Sequence, residues 1–305
     1  MKPCISFLCF LTLCLSSCTT RIPEVSKETP SDTPTSTHLP PTSTATALPT
    51  PSATSSPEGE GDGVVMGWAV LADKNDYSDV GMTDLPLDYI NIKRIRQVLL
   101  DAGWKENQIL ELLEFDQTSL REALDWLSGQ ADEDDLVLVY ISSHGLYLHQ
   151  NVHWGNFFPQ DWKRIKSQKR VLILQACRAG AFTADLRSDP DPYLSIGAVG
   201  KDEDGWAGSE EEGLPIIGSV FTFYFTAAFE DSEADSDRDG FVCLQEAALY
   251  AQKHQRNYMH EVVFEVPEFL EMFKAAGFPT EDPKYPHVVM VDRIGVPVIL
   301  SSILH

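Results

Sequence analysis

Breaking an acyl bond through a thioester takes two groups: a thiolate that adds to the carbonyl carbon and an imidazole that carries the proton. The chain offers such a pair at the ends of two short apolar runs. The first is Asp135-Leu-Val-Leu-Val-Tyr-Ile-Ser-Ser-His144-Gly145; the second is Arg170-Val-Leu-Ile-Leu-Gln-Ala-Cys177-Arg-Ala-Gly180. Each run is continuously apolar and rich in β-branched residues, with charge at its start and glycine after its end. That is how a strand buried on both faces of a parallel sheet reads. Ligands gather at the C-terminal edge of open α/β sheets, so His144 and Cys177 are expected to be neighbours despite their separation in sequence.

A second pattern carries a different chemistry. Asp235-Ser-Asp237-Arg-Asp239-Gly240-Phe241-Val-Cys-Leu-Gln-Glu246 fits the calcium-loop pattern D-x-D-x-D-G-x5-E without a gap. Asp235, Asp237, Asp239 and Glu246 supply carboxylates, Phe241 a backbone carbonyl, and Gly240 the sharp turn. These are hard oxygen donors, so the expected cofactor is one Ca²⁺, structural or activating. Cys243 stands at the ninth loop position, where sulfur suits a hard cation poorly and water would have to serve.

The two strand ends carry a family resemblance. "SHG" resembles the His-Gly motif of the caspase-like cysteine peptidases (caspases, metacaspases, legumains and gingipains), and "QACRAG" is similar to the caspase Gln-Ala-Cys-Arg-Gly with one extra alanine. The resemblance implies His144 as catalytic histidine and Cys177 as nucleophile, with the N–H groups of Gly145 and Cys177 forming the oxyanion hole. Gln175 resembles a substrate-pocket residue. Gly218-Ser219-Val-Phe-Thr resembles a segment whose serine lies near that pocket. Asn75, after the first strand, stands where legumains carry a third site residue, although Asn is also a common turn former.

The N-terminus begins Met1-Lys2, runs apolar from Ile5 to Leu15 and reaches Leu15-Ser-Ser-Cys18. A basic start and a short apolar core read as an export signal over residues 1–17. The segment ending at Cys18 resembles a bacterial lipobox, which implies lipidation of Cys18. Residues 18–62 are Thr-, Ser- and Pro-rich and read as an extended tether. Residues 63–305 are long enough for one large domain. The formal charge of −23 falls mostly on that part. It argues against nucleic acid and against docking on anionic lipid. The expected partners are a protein or peptide substrate, with the membrane reached only through the lipid. Of six cysteines, only Cys177 and Cys243 stay in the domain, too few for a disulfide scaffold.

Helix signals over 87–102, a short strand over 108–114 and a capping box at Ser119 and Glu122 precede the His144 strand. The expected fold is an α/β three-layer α/β/α sandwich with a mostly parallel, caspase-like sheet. Between the two motifs, His149, His153, Trp154, Phe157 and Phe158 read as loop packing, because a zinc site there lacks a third ligand. Residues 183–193, with Arg187, read as an exposed loop that could be processed. The acidic loop 201–212 could form a pocket for a basic side chain, whereas Gln175 points toward caspase-type specificity. The expected function is an exported, lipid-anchored cysteine endopeptidase. The competing reading is a non-catalytic Ca²⁺-binding surface module that keeps the fold.

Overall fold

The computed structural model describes residues 61–304 apart from Pro86. Cys18, the signal and nearly all of the tether lie outside the described residues. The first strand is β1 (Gly67–Asp73), followed by α1 (Ile90–Asp101), β2 (Ile109–Leu113) and α2 (Gln117–Gln130). Then come β3 (Leu136–Ser142), α3 (Gly145–Gln150), α4 (Trp154–Trp162), β4 (Lys169–Gln175), α5 (Ala179–Ala184) and β5 (Tyr193–Gly197). A two-residue pair, β6 (Ala207–Gly208) and β7 (Gly218–Ser219), leads into α6 (Val220–Ala227), α7 (Leu244–Tyr258), α8 (Pro267–Ala275) and β8 (Val289–Asp292).

The main sheet runs β2-β1-β3-β4-β5-β8. All its pairings are parallel except that of β8, which closes one edge antiparallel to β5. Successive side chains of a strand point to opposite faces, and the two buried clusters follow that alternation. Val137, Val139 and Ile141 of β3 pack with α2, α3 and α4 on one face. Leu136, Leu138 and Tyr140 pack with α1, α6 and α7 on the other. Every β3 residue is therefore buried, which is why its sequence shows no polar alternation. The fold is the expected three-layer sandwich with a mostly parallel sheet.

Three local expectations are corrected. The N-cap of α2 is Asp116, whose side chain accepts from the Ser119 N–H at 2.8 Å while Ser119 Oγ accepts from the Asp116 N–H. The capping box thus begins one turn before Ser119. The segment after His144 is helical, not a loop. Trp154, Phe157, Phe158 and Trp162 recur at helical spacing and are buried. Trp154 stacks on Phe158 at 3.6 Å and Phe158 on Trp162 at 5.8 Å. That stripe holds α4 together although Pro159 interrupts its hydrogen bonding. His149 and His153 are both exposed; His149 lies in α3, whereas His153 is the N-cap that precedes α4.

Residues 183–193 are not a loose loop either. They contain the end of α5 and a 3-10 turn over Asp185–Ser188. Asp189 is fully buried against the fully buried Arg170, 3.1 Å away. Arg293 donates to the carbonyl oxygens of Arg187 and Asp189. Arg187 itself is exposed, but its backbone is pinned.

Candidate functional site

The parallel pairing of β3 with β4 brings Ser142 opposite Gln175. One residue on, the Ser143 N–H donates to the Gln175 carbonyl at 3.1 Å. His144 and Cys177 each lie two residues beyond this last register pair, so they emerge side by side at the C-terminal edge. Gly145 opens α3 directly against the Cys177 backbone. A methyl group at Gly145 would lie 2.1 Å from the Cys177 carbonyl oxygen, far inside contact distance. Only glycine fits there, which is the physical content of the His-Gly motif.

The His144 ring is held in one tautomer. Its Nε2 lies 2.9 Å from the Thr83 carbonyl oxygen. A carbonyl only accepts, so Nε2 carries the proton and Nδ1 is the basic nitrogen. The loop after β1 makes this possible: Asp84 accepts from the Tyr77 N–H at 2.7 Å and the Asn75 carbonyl accepts from Leu85 at 2.8 Å. Tyr77 also stands 4.6 Å from the imidazole, ring to ring, and its hydroxyl accepts from the His144 N–H at 2.8 Å. Burial pushes the His144 pKa down; the Thr83 carbonyl and the charges of Asp204 and Asp84 oppose that. The resting imidazole is thereby biased toward its neutral, basic form.

Cys177 is a half-buried thiol in no disulfide. Nearby, burial raises the Asp204 pKa, opposed by the charge of Arg178, by the Cys177 side chain and by the charge of His144. Asp204 lies in the acidic loop 201–212 but had no motif of its own to single it out. Of the remaining candidates, Gln175 is buried, with its side-chain Oε1 lacking a partner. Ser219 is fully buried, and its hydroxyl accepts from the Thr222 N–H at 3.1 Å as the N-cap of α6. It is tied to the edge through its backbone, whose N–H donates to Asn91 Oδ1 at 2.9 Å. Asn91 in turn donates to Ser142 Oγ at 3.1 Å. Asn75 braces the loop: it donates to Asp73 Oδ1 at 2.9 Å and accepts from the N–H groups of Leu87 and Tyr89. Asp73 ends β1 fully buried, and burial raises its pKa to about 7 against hydrogen bonds from Ser142 and Asn75.

The Asp235 loop lies at the other end of the strands. Asp235, Asp237 and Asp239 bring their ligand oxygens within 4.8 Å of one another. Asp235 accepts from the N–H groups of Asp239 and Gly240 at 3.2 and 3.0 Å, and Gly240 takes φ +92° as the sixth position requires. Glu246 stands apart from this cluster. Its carboxylate accepts from Ser236 N–H and Oγ–H, both at 2.8 Å, and from Cys243 N–H at 3.0 Å. Burial opposes its ionisation, but those donors outweigh it and hold the pKa down to about 2. The donor set is all oxygen and fits a hard cation. Three carboxylates are gathered, while the fourth faces loop amides. Phe241 keeps its ring half-exposed.

A mostly parallel sheet with a histidine and a cysteine at the C-terminal ends of adjacent central strands defines a protein of the cysteine peptidase class with the caspase fold. Residues 66–260 match the family model described as the caspase domain, and the chain belongs to that family. Caspase-1 from Spodoptera frugiperda is a structural relative at TM-score 0.51 and 11% identity, covering 83% of this chain and 97% of that chain. At that identity the likeness speaks for the fold alone. No curated protein sequence matches the chain. A caspase domain implies protein substrates and, in general terms, a cysteine peptidase-type function.

Proposed function

We propose that the protein is a cysteine endopeptidase in which Cys177 is the nucleophile and His144 the proton carrier. The observation that supports it best is the tautomer lock: the Thr83 carbonyl fixes the proton on Nε2 and leaves Nδ1 as the basic nitrogen, on a residue whose neighbour Gly145 lies directly against the Cys177 backbone. His144 takes the Cys177 proton, the sulfur adds to the scissile carbonyl, and the same proton passes to the leaving amine. Water then hydrolyses the thioester. The N–H groups of Gly145 and Cys177 would receive the oxyanion, a contribution of about 2.7–4 kcal/mol per donor. Gln175, with its unpartnered oxygen, is the substrate-binding candidate at this edge. Ser219 acts from behind by anchoring α6.

The reading includes export and a lipid on Cys18, supported by the short apolar segment and Leu15-Ser-Ser-Cys18. It also includes one Ca²⁺ held by Asp235, Asp237, Asp239 and the Phe241 carbonyl, joined by Glu246 if its carboxylate turns from the loop amides. The test is digestion of a mixed peptide library by wild type, Cys177→Ala and His144→Ala, each verified as folded. Wild type should cut internal peptide bonds and both variants should lose at least about a thousandfold, because the pair works as a unit. Equal cutting by Cys177→Ala would overturn the mechanism. No cutting by wild type, with or without Ca²⁺, would favour the binding-module reading.

A further inference from the structure

Strand β2 ends at Leu113, but its ladder with β1 runs one step further: the Glu114 N–H donates to the Asp73 carbonyl at 2.9 Å. Glu114 takes φ +55°, a left-handed conformation that side-chain-bearing residues seldom adopt. Such a residue persists only where its surroundings hold it, and it invites a functional question. Here the surroundings are the loop after β1. Glu114 Oε1 accepts from the Asn75 N–H at 2.9 Å, the Asp76 N–H at 3.0 Å and the Tyr89 O–H at 2.8 Å. Oε2 accepts from the Asp76 N–H at 3.1 Å and lies 3.4 Å from Lys74 Nζ.

The groups that hold the imidazole hang on the segment these contacts fix. Tyr77 follows Asp76; its hydroxyl donates to the Lys74 carbonyl at 2.9 Å and accepts from the His144 N–H. The Tyr77 carbonyl accepts from Met82 at 3.3 Å, and its N–H donates to Asp84 at 2.7 Å. Thr83 lies between those two partners, so Tyr77 places its carbonyl. Asn75 takes the N–H of Leu85 on its carbonyl and those of Leu87 and Tyr89 on its side chain. Glu114 therefore binds the loop at its start, through Asn75 and Asp76, and at its end, through Tyr89.

We propose that Glu114 is a positioning residue acting through Thr83 on His144: its carboxylate seats both ends of the loop over residues 74–89, and that seat holds the Thr83 carbonyl where it fixes the imidazole. The inference rests on the reading of His144 as proton carrier. The seat works by accepting hydrogen bonds, not by charge. Three donors share Oε1, whereas the Lys74 ammonium has other partners. It lies 3.5 Å from Asp79 and stands over the rings of Tyr77 and Tyr147, 5.4 and 5.1 Å from their centres.

The test reads His144 without substrate. Histidine-labelled protein is studied by ¹⁵N NMR at about pH 8, where imidazole is neutral, with the His144 signals identified by their loss in His144→Ala. Wild type should carry the proton on Nε2 and exchange it slowly with solvent. Glu114→Asp keeps the charge but loses the reach, and should speed that exchange by at least about tenfold. Glu114→Gln loses the charge but keeps an acceptor oxygen at full reach, and should stay within about threefold of wild type. Leu110→Ala, a core truncation on the same strand, should lower the melting temperature without changing the exchange. Library cleavage should fall about tenfold or more in Glu114→Asp and little in Glu114→Gln. An unprotected His144 ring N–H in wild type, exchange in Glu114→Asp within about twofold of wild type, Glu114→Gln no better than Glu114→Asp, or an equal change in Leu110→Ala would overturn the proposal. If wild type leaves library peptides uncut while exchange behaves as stated, the seat stands and the peptidase reading fails separately.

Discussion

The two ends of the sheet solve opposite problems. At the C-terminal edge, burial works against charge: it lowers the His144 pKa and raises those of Asp73 and Asp204. At the N-terminal edge, Asp235, Asp237 and Asp239 stand together in solvent reach, their mutual repulsion relieved only by backbone N–H donors. Desolvation of the first region is what the proposed proton transfer would use; accumulated charge suits the second for a cation. Helix α6 links them. Its N-cap is Ser219, tied through Asn91 to Ser142 near His144, and it ends at Ala227, from where a 3-10 turn over Ala228–Glu230 leads to Asp231 and the acidic loop. A groove of about 430 Å³ next to that loop is lined by Val98, Phe229, Phe241 and Leu300, and neither His144 nor Cys177 lines it. Rearrangement of the loop would be felt there first and at the C-terminal edge through α6.

The largest expected effect lies at the first edge. Gly145→Ala drives a methyl group into the Cys177 carbonyl. The nucleophile loop must shift, and misplacement of reacting groups by about 1 Å can cost a hundredfold in rate. A peptidase assay should show a loss of that order or more, with the melting temperature falling much less. Full activity in Gly145→Ala would break the claim that the two loops are held in register by this contact.

A smaller effect separates the second edge from the first. Saturating Ca²⁺ at about a hundred times its dissociation constant should stabilise the fold by about 2.7 kcal/mol. Chelator should lower the melting temperature and reduce activity in part, and Glu246→Gln should weaken the Ca²⁺ response. If calorimetry shows no heat of binding and chelator changes nothing, the acidic loop is a solvated turn and the comparison loses one side.

The smallest effect is a pH signature of Asp73. Its folded pKa of about 7 exceeds that of an unfolded aspartate, about 3.9. The folded state therefore binds the extra proton between those values, and stability falls as pH rises through that window. Melting temperatures between pH 4.5 and 8 should decline for this reason in wild type, and the decline should be shallower in Asp73→Asn. An equal slope in both proteins would remove Asp73 from the set of desolvated groups.

Much of this was legible in the sequence because the strongest signals are local. Leu136–Ser142 and Lys169–Gln175 read as buried parallel strands since both faces are covered, and the residues ending them follow from strand direction. The calcium-loop pattern is likewise contiguous. What stayed hidden depends on distant backbone. Thr83 contributes only a carbonyl oxygen, for which residue type carries no signal. Tyr77 reaches His144 from a loop 67 residues away. Asp204 was one acid among several in 201–212. The α4 segment reads as loop packing in the sequence, whereas its stability comes from stacked aromatic rings. The helical turn over residues 185–188 and its pinning by Arg170 were equally invisible, since a buried ion pair cannot be read from either partner alone.

The proposed function stands or falls on Cys177 being a nucleophile activated by His144. Its most direct test is intact-mass spectrometry after incubation with a pool of peptidyl acyloxymethyl ketones, followed by mapping of the modified residue. A single adduct on Cys177 is expected, formed at least about a hundredfold more slowly in folded His144→Ala. An adduct on Cys243, equal labelling in His144→Ala, or no adduct on a folded wild-type protein with Ca²⁺ present would contradict it.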